Sequence, residues 1–121
     1  MFSETLLDHF QNPRNAGELP DATAKVEVGN PVCGDVLQLA AVLQDGVLSE
    51  VRFLCRGCTA SIACASFLTE RIKGREVREI VNINATTLAE GIGGLPEASF
   101  HAAQLASDAL QALLRALPAQ H

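Results

Sequence analysis

Two thiols, a carboxylate and an imidazole stand out in the sequence as groups able to hold a metal. Cys33 and Asp35 are separated only by Gly34, Cys58 follows Gly57, and His101 opens the last apolar stretch of the chain. Zinc accepts mixed sulfur, oxygen and nitrogen donors, so Cys33, Asp35, Cys58 and His101 would close a four-coordinate site if they converge. Gly34 allows the tight backbone turn that lets Cys33 and Asp35 point the same way. Cys58 precedes a helical pattern, where unpaired N–H groups and the helix dipole favour a thiolate, the form that binds metal. His101 falls in a helix's first turn, which favours the neutral imidazole a metal requires.

The other reactive groups read as structural. Cys55 is in phase with Val51 and Phe53 on a strand, which predicts a core-facing thiol. Cys64 is six residues past Cys58, about 9 Å along a helix and about 120° round it, which predicts packing. His9 is expected on a helix surface, and the charged run Arg71–Arg78 on a solvated face. Cys55-Arg56-Gly57-Cys58 also has the spacing of a thiol–disulfide motif. That chemistry expects a parallel βαβ setting, which the hairpin before it opposes.

These residues must be positioned by strands that come first and helices that follow. Ser3 caps a short helix with Leu6, Leu7 and Phe10 on one face, ended by Asn12-Pro13 and Gly17. Ala24–Val28, Val36–Leu43 and Val47–Leu54 alternate as strands. Gln44-Asp45-Gly46 joins the last two as a hairpin. Ile62, Ala65, Leu68 and Ile72 then recur at helical spacing, with Gly74 as the stop. Short helices are predicted over Glu76–Val81 and Thr87–Glu90, with Gly91-Ile92-Gly93-Gly94 as a loop. A final helix over Glu97–Leu117 carries Leu105, Ala109, Ala112 and Ala116 on one face. The expected fold is α+β, an antiparallel meander of three strands covered on one face by helices, in one domain over residues 1–121.

Composition excludes some classes of function. The formal charge of −5 opposes binding to nucleic acid, which needs clustered Lys and Arg. No segment reaches the roughly 18 unbroken apolar residues of a membrane helix. The amino terminus lacks a secretory pattern, and four unevenly spaced cysteines suggest reduced thiols and a cytoplasmic setting.

The assembled motifs resemble the IscU and NifU amino-terminal family of iron–sulfur cluster assembly scaffolds, nearly end to end. The resemblance is carried by Leu7-Asp8-His9-Phe10-Gln11-Asn12-Pro13-Arg14-Asn15-Ala16-Gly17, by Asn30-Pro31-Val32-Cys33-Gly34-Asp35-Val36 and by Phe53 to Cys58 with Ser61-Ile62-Ala63. It continues through Thr69-Glu70, Lys73-Gly74, and His101 with Leu105-Ala106-Ser107-Asp108-Ala109. It implies a SufE/NifU-like fold and a non-enzymatic role, in which a [2Fe–2S] cluster is built on the domain and passed to apo-proteins. Its expected ligands are Cys33, Asp35, Cys58 and His101, and its expected sulfur donor is a cysteine desulfurase. The alternative is a diverged relative that holds zinc and acts in sulfur transfer or regulation. Ala102 stands where the family usually has a third, sulfur-accepting cysteine, which leaves Cys33, Cys55 or Cys58 as the sulfur acceptor. Leu95-Pro96-Glu97-Ala98-Ser99 replaces the Leu-Pro-Pro-Val-Lys stretch that docks an Hsp70-type chaperone. The insertion of the zinc-dependent SufU branch is missing between Cys58 and the closing helix.

Overall fold

A computed structural model describes residues 1–31 and 34–119. Its elements run α1 (Glu4–Gln11), β1 (Ala24–Gly29), β2 (Val36–Gln44), β3 (Val47–Arg56), α2 (Thr59–Ile72), α3 (Val77–Ile80), α4 (Ala85–Gly91), a 3₁₀ turn (Glu97–Ser99) and α5 (Phe100–Ala116). The three strands form an antiparallel sheet in the order β1-β2-β3, the expected meander. Leu37 lies opposite Val28 and Cys55, Leu39 opposite Val26 and Phe53, and Ala41 opposite Ala24 and Val51. These three rows face the helices, because side chains alternate across a strand. Leu54 and Arg56, of the opposite parity, are exposed.

The β2–β3 hairpin turns through Asp45 and Gly46 at φ 53° and 79°. Positive φ at both central residues gives the two-residue turn that matches strand twist. The register shifts between Val42 and Leu43, since Val42 pairs with Glu50 but Leu43 with Leu48. The other edge of β3 is covered by two non-strand segments. Phe53 exchanges backbone bonds with Asn15 and Gly17 at 2.9 Å, and Leu48 with Gly74 and Arg75 at 2.7 and 3.0 Å. The Asn-Pro-Arg-Asn-Ala-Gly run therefore also closes a sheet edge. Asn15 at φ 60° and Gly17 at φ 134° supply its bends.

Helices α2 and α5 lie against the sheet and each other, with α1 packed on α2 and α4 on α5. Burial of α2 goes well beyond the expected stripe. Ala60, Ser61, Ala63, Cys64, Ser66, Phe67 and Thr69 are buried beside Ala65, Leu68 and Ile72, whereas Ile62 is only half-buried. A helix covered on several sides buries residues all round, which a single-stripe pattern does not anticipate.

Several expectations are corrected. In α1 the buried residues are Leu6 and His9, while Leu7 and Phe10 are exposed. His9 is not a surface residue. Its Nδ1 lies 2.7 Å from the Ser66 hydroxyl and its ring stands edge-on to Phe67 at 5.4 Å, so the imidazole is satisfied inside the α1–α2 seam. The final helix starts at Phe100, after the 3₁₀ turn that Pro96 introduces. It packs through Ala102, Ala103, Leu105, Ala106, Ala109, Leu110 and Leu113, while Ala112 is half-buried and Ala116 exposed. β3 runs two residues past Leu54, which brings its end to Gly57 and Cys58. α3 is shorter and α4 longer than predicted, α4 ending on Gly91.

Candidate metal centre

Three loops at one end of the sheet deliver the site. Asp35 is the last residue before β2, where its carbonyl accepts from Asn30 N at 2.8 Å and Asn30's carbonyl accepts from Gly34 N at 2.7 Å. Gly34 sits at φ 77°, the left-handed conformation its position between Cys33 and Asp35 requires. Cys58 is the extended N-cap residue of α2, without a side-chain cap bond. His101 occupies the first turn of α5.

One donor atom each from Asp35, Cys58 and His101 lie within 4.8 Å of one another. Cys58 Sγ is 3.7 Å from His101 Nε2. Sulfur and nitrogen on neighbouring corners of a tetrahedral zinc site would be about 3.5 Å apart, so this pair is spaced for a shared ion. The histidine ring is also oriented by the backbone. Its Nδ1 lies 3.1 Å from the Ala98 carbonyl, which can only accept. A neutral ring so held carries its proton on Nδ1 and turns the Nε2 lone pair towards Cys58. Cys58 is exposed, His101 half-buried and Asp35 buried, a graded pocket open on the sulfur side. Cys33, the fourth expected ligand, lies outside the described residues.

Asp35 is held closely. Ser61 donates its hydroxyl proton to Asp35 Oδ2 at 2.5 Å, and the Cys58 N–H makes a longer contact of 3.4 Å to the same oxygen. Gly57 leaves room for the carboxylate, because a Cβ there would fall 2.7 Å from Asp35 Cγ. Ser61 was not singled out for this role from the sequence. The available signal is its place three residues beyond Cys58, which puts both on one helix face.

The other two described thiols are unlike Cys58. Burial, followed by the Asp35 and Cys58 charges, pushes Cys55 up to about 12. Burial, followed by Cys58 and Cys55, pushes Cys64 up to about 12 as well. Cys64 is 1% exposed and packs in the core as expected, whereas Cys55 is half-buried. Cys55 lies on a strand of an antiparallel hairpin, which is not the parallel βαβ setting that thiol–disulfide chemistry expects.

Among the described residues no helix is long and apolar enough to cross a membrane. The charged run 71–78 is largely solvent-facing, with Arg78 paired to Glu76 at 2.6 Å and Lys73 to Glu50 at 3.2 Å.

Comparison with known proteins agrees with this architecture. The family model for the NifU-like N-terminal domain matches residues 1–121. The chain is 42% identical over 111 residues to the iron–sulfur cluster assembly scaffold protein IscU 1 of Archaeoglobus fulgidus, covering 92% of this chain and 72% of that one. It is 39% identical over 119 residues to IscU of Azotobacter vinelandii, covering 94% and 91%. A crystal structure from Fervidobacterium islandicum, described as a candidate cluster assembly scaffold of the SUF system, superposes with a TM-score of 0.77. Its 21% identity, over 93% of this chain and 96% of that one, makes it a likeness of fold. The match over the whole chain and the identity to these relatives show that the chain belongs to the IscU/NifU-like family.

Proposed function

We propose that this protein is an iron–sulfur cluster assembly scaffold whose cargo, iron or a [2Fe–2S] cluster, is held by Cys33, Asp35, Cys58 and His101. The observation that carries the proposal is the convergence of a carboxylate, a thiol and an oriented imidazole within 4.8 Å. The names of the relatives supply the class of cargo. The donor set suits transient holding. A carboxylate oxygen binds soft iron less firmly than a fourth thiolate would, so cargo held this way leaves more readily for an acceptor.

The protein's part in this is binding, not turnover. The imidazole, held at Nδ1 by the Ala98 carbonyl, presents Nε2, the carboxylate is pre-oriented, and the exposed sulfur side is where donor and acceptor proteins would reach the cargo. A cysteine desulfurase is the proposed sulfur donor and apo iron–sulfur proteins the recipients, in the cytoplasm. Ala102 offers no thiol, and Cys55 and Cys64 are pushed up to about 12. Sulfur would therefore be received at Cys58 or Cys33. Handover by an Hsp70-type chaperone is not part of the proposal, because Glu97 replaces an apolar residue of the docking stretch.

Anaerobic reconstitution with iron and sulfide tests the proposal. The expected product is a visible chromophore that is lost in Cys33→Ala, Cys58→Ala and His101→Ala. A protein that stays colourless, or variants that colour as the wild type does, would overturn it. The 3.7 Å spacing of Cys58 Sγ and His101 Nε2 also favours a second reading, a single zinc ion in a relative that no longer builds clusters. Stoichiometric zinc in protein purified without added metal, not displaced by iron, would select that reading.

A further inference from the structure

We propose that Ser61 is a positioning residue for the metal centre, acting through the carboxylate of Asp35. The inference rests on the reading of Asp35 as a ligand. Ser61 is 1% exposed in the first turn of α2, and its hydroxyl has one proton to give. That proton goes to Asp35 Oδ2 at 2.5 Å. The hydroxyl oxygen also lies 3.3 Å from Cys58 Sγ, so with its proton committed to Asp35 it faces the thiol as an acceptor. One buried side chain thus touches two of the three donors that converge.

Asp35 is then fixed from two sides. Ser61 and the Cys58 N–H meet Oδ2, and the Gly57 backbone lies where any larger residue would strike the carboxylate. A carboxylate already held by its neighbours loses little further rotational freedom on meeting a metal. Such hydrogen-bonded partners are worth about 10- to 100-fold in metal affinity. A serine that merely filled space in α2 would contact neither donor this closely. The same contact makes Ser61 a control on how firmly the cargo is kept.

The test uses the full chain and measures zinc(II) affinity by competition with a chromophoric chelator. Cobalt(II) spectra report the coordination. Ser61→Ala should weaken zinc binding about tenfold and alter the cobalt(II) d–d bands, and Ser61→Thr, which keeps the hydroxyl, should restore both. In an Asp35→Asn background Ser61→Ala should add no further loss. Unchanged affinity and spectra in Ser61→Ala, or an equal loss with and without the Asp35 carboxylate, would overturn the positioning role while leaving the ligand set intact. Failure of the wild-type protein to bind either metal would sink the ligand set itself, and this inference with it.

Discussion

Two histidines lie against the same helix and are treated oppositely. His101 meets the start of α2 beside Cys58, with Nδ1 on the Ala98 carbonyl and Nε2 turned to a thiol in a half-buried pocket. His9 meets α2 further along, at Ser66, Phe67 and Glu70, and is 3% exposed. Both its nitrogens are engaged by the protein, Nδ1 by Ser66 and Nε2 by Glu70 at 3.4 Å. An imidazole with both nitrogens occupied holds elements together. One whose second nitrogen meets an exposed thiol, a group that can share an ion with it, is placed for a metal. Residue type alone does not separate the two arrangements, but the partner of the second nitrogen does.

Exchanging the readouts breaks or sharpens this comparison. His101→Ala should cost about a hundredfold or more in zinc(II) affinity, because it removes a donor outright, and should leave thermal stability of the metal-free protein close to wild type. His9→Ala should do the reverse. It opens a cavity in the α1–α2 seam and removes the imidazole partner of the Ser66 hydroxyl, which keeps only the Arg14 N–H at 2.9 Å, for a loss of about 2 kcal/mol in denaturant unfolding with metal affinity retained. If His9→Ala weakened metal binding as much as His101→Ala, the division between a structural and a binding imidazole would fail.

Gly57→Ala should have a smaller effect, confined to the metal end. A methyl 2.7 Å from Asp35 Cγ must displace the carboxylate, since a real Cβ does not approach so closely. We expect about a tenfold loss in zinc(II) affinity, of the order that attends misplacing a ligand's support. Binding equal to wild type would show that the carboxylate's placement is not important.

How much of this was legible in the sequence depends on how local the cause is. Val36 to Leu43 and Val47 to Leu54 read as strands because one face is buried, and Asp45-Gly46 specifies its own turn, while the last residues of each strand did not show in the pattern. Ser3 as the cap of α1 is equally local, accepting from Leu6 N at 3.0 Å. Asp35, Cys58 and His101 were recognisable as donors by type and by their places beside glycines and at helix starts. What was not legible comes from contacts distant in sequence. His9 is buried because Ser66 and Phe67, 57 and 58 positions away, accept it. Leu7 and Phe10 look like core but lie off the face that α2 covers. Ser61 gains its role only when the β2 approach lays Asp35 over the first turn of α2. Tertiary burial overrides helical patterning in each of these cases.

The smallest predicted effect is the pH dependence of the seam. His9 is held below the usual histidine range by burial first and by the Arg14 charge second, against the opposing pull of Glu70 and Asp8. Arg14 is tied into the same corner, its Nη2 2.5 Å from Asp8 and its Nε 3.6 Å from Glu70. With the folded value depressed, the unfolded chain takes up a proton near pH 6.5 that the folded one still refuses. Stability is therefore full above that point and falls as pH drops below it, until His9 charges in the folded state too. One proton gives a slope of at most about 1.4 kcal/mol per pH unit. Carboxylates add their own slope at lower pH, so the diagnostic quantity is the difference between wild type and a non-titrating His9→Gln variant. Whatever stability wild type holds over His9→Gln at about pH 7 should shrink as pH falls to about 5.5, because only wild type carries the His9 linkage. A His9→Gln protein that destabilises on acidification in parallel with wild type would mean that burial of this imidazole carries no proton linkage.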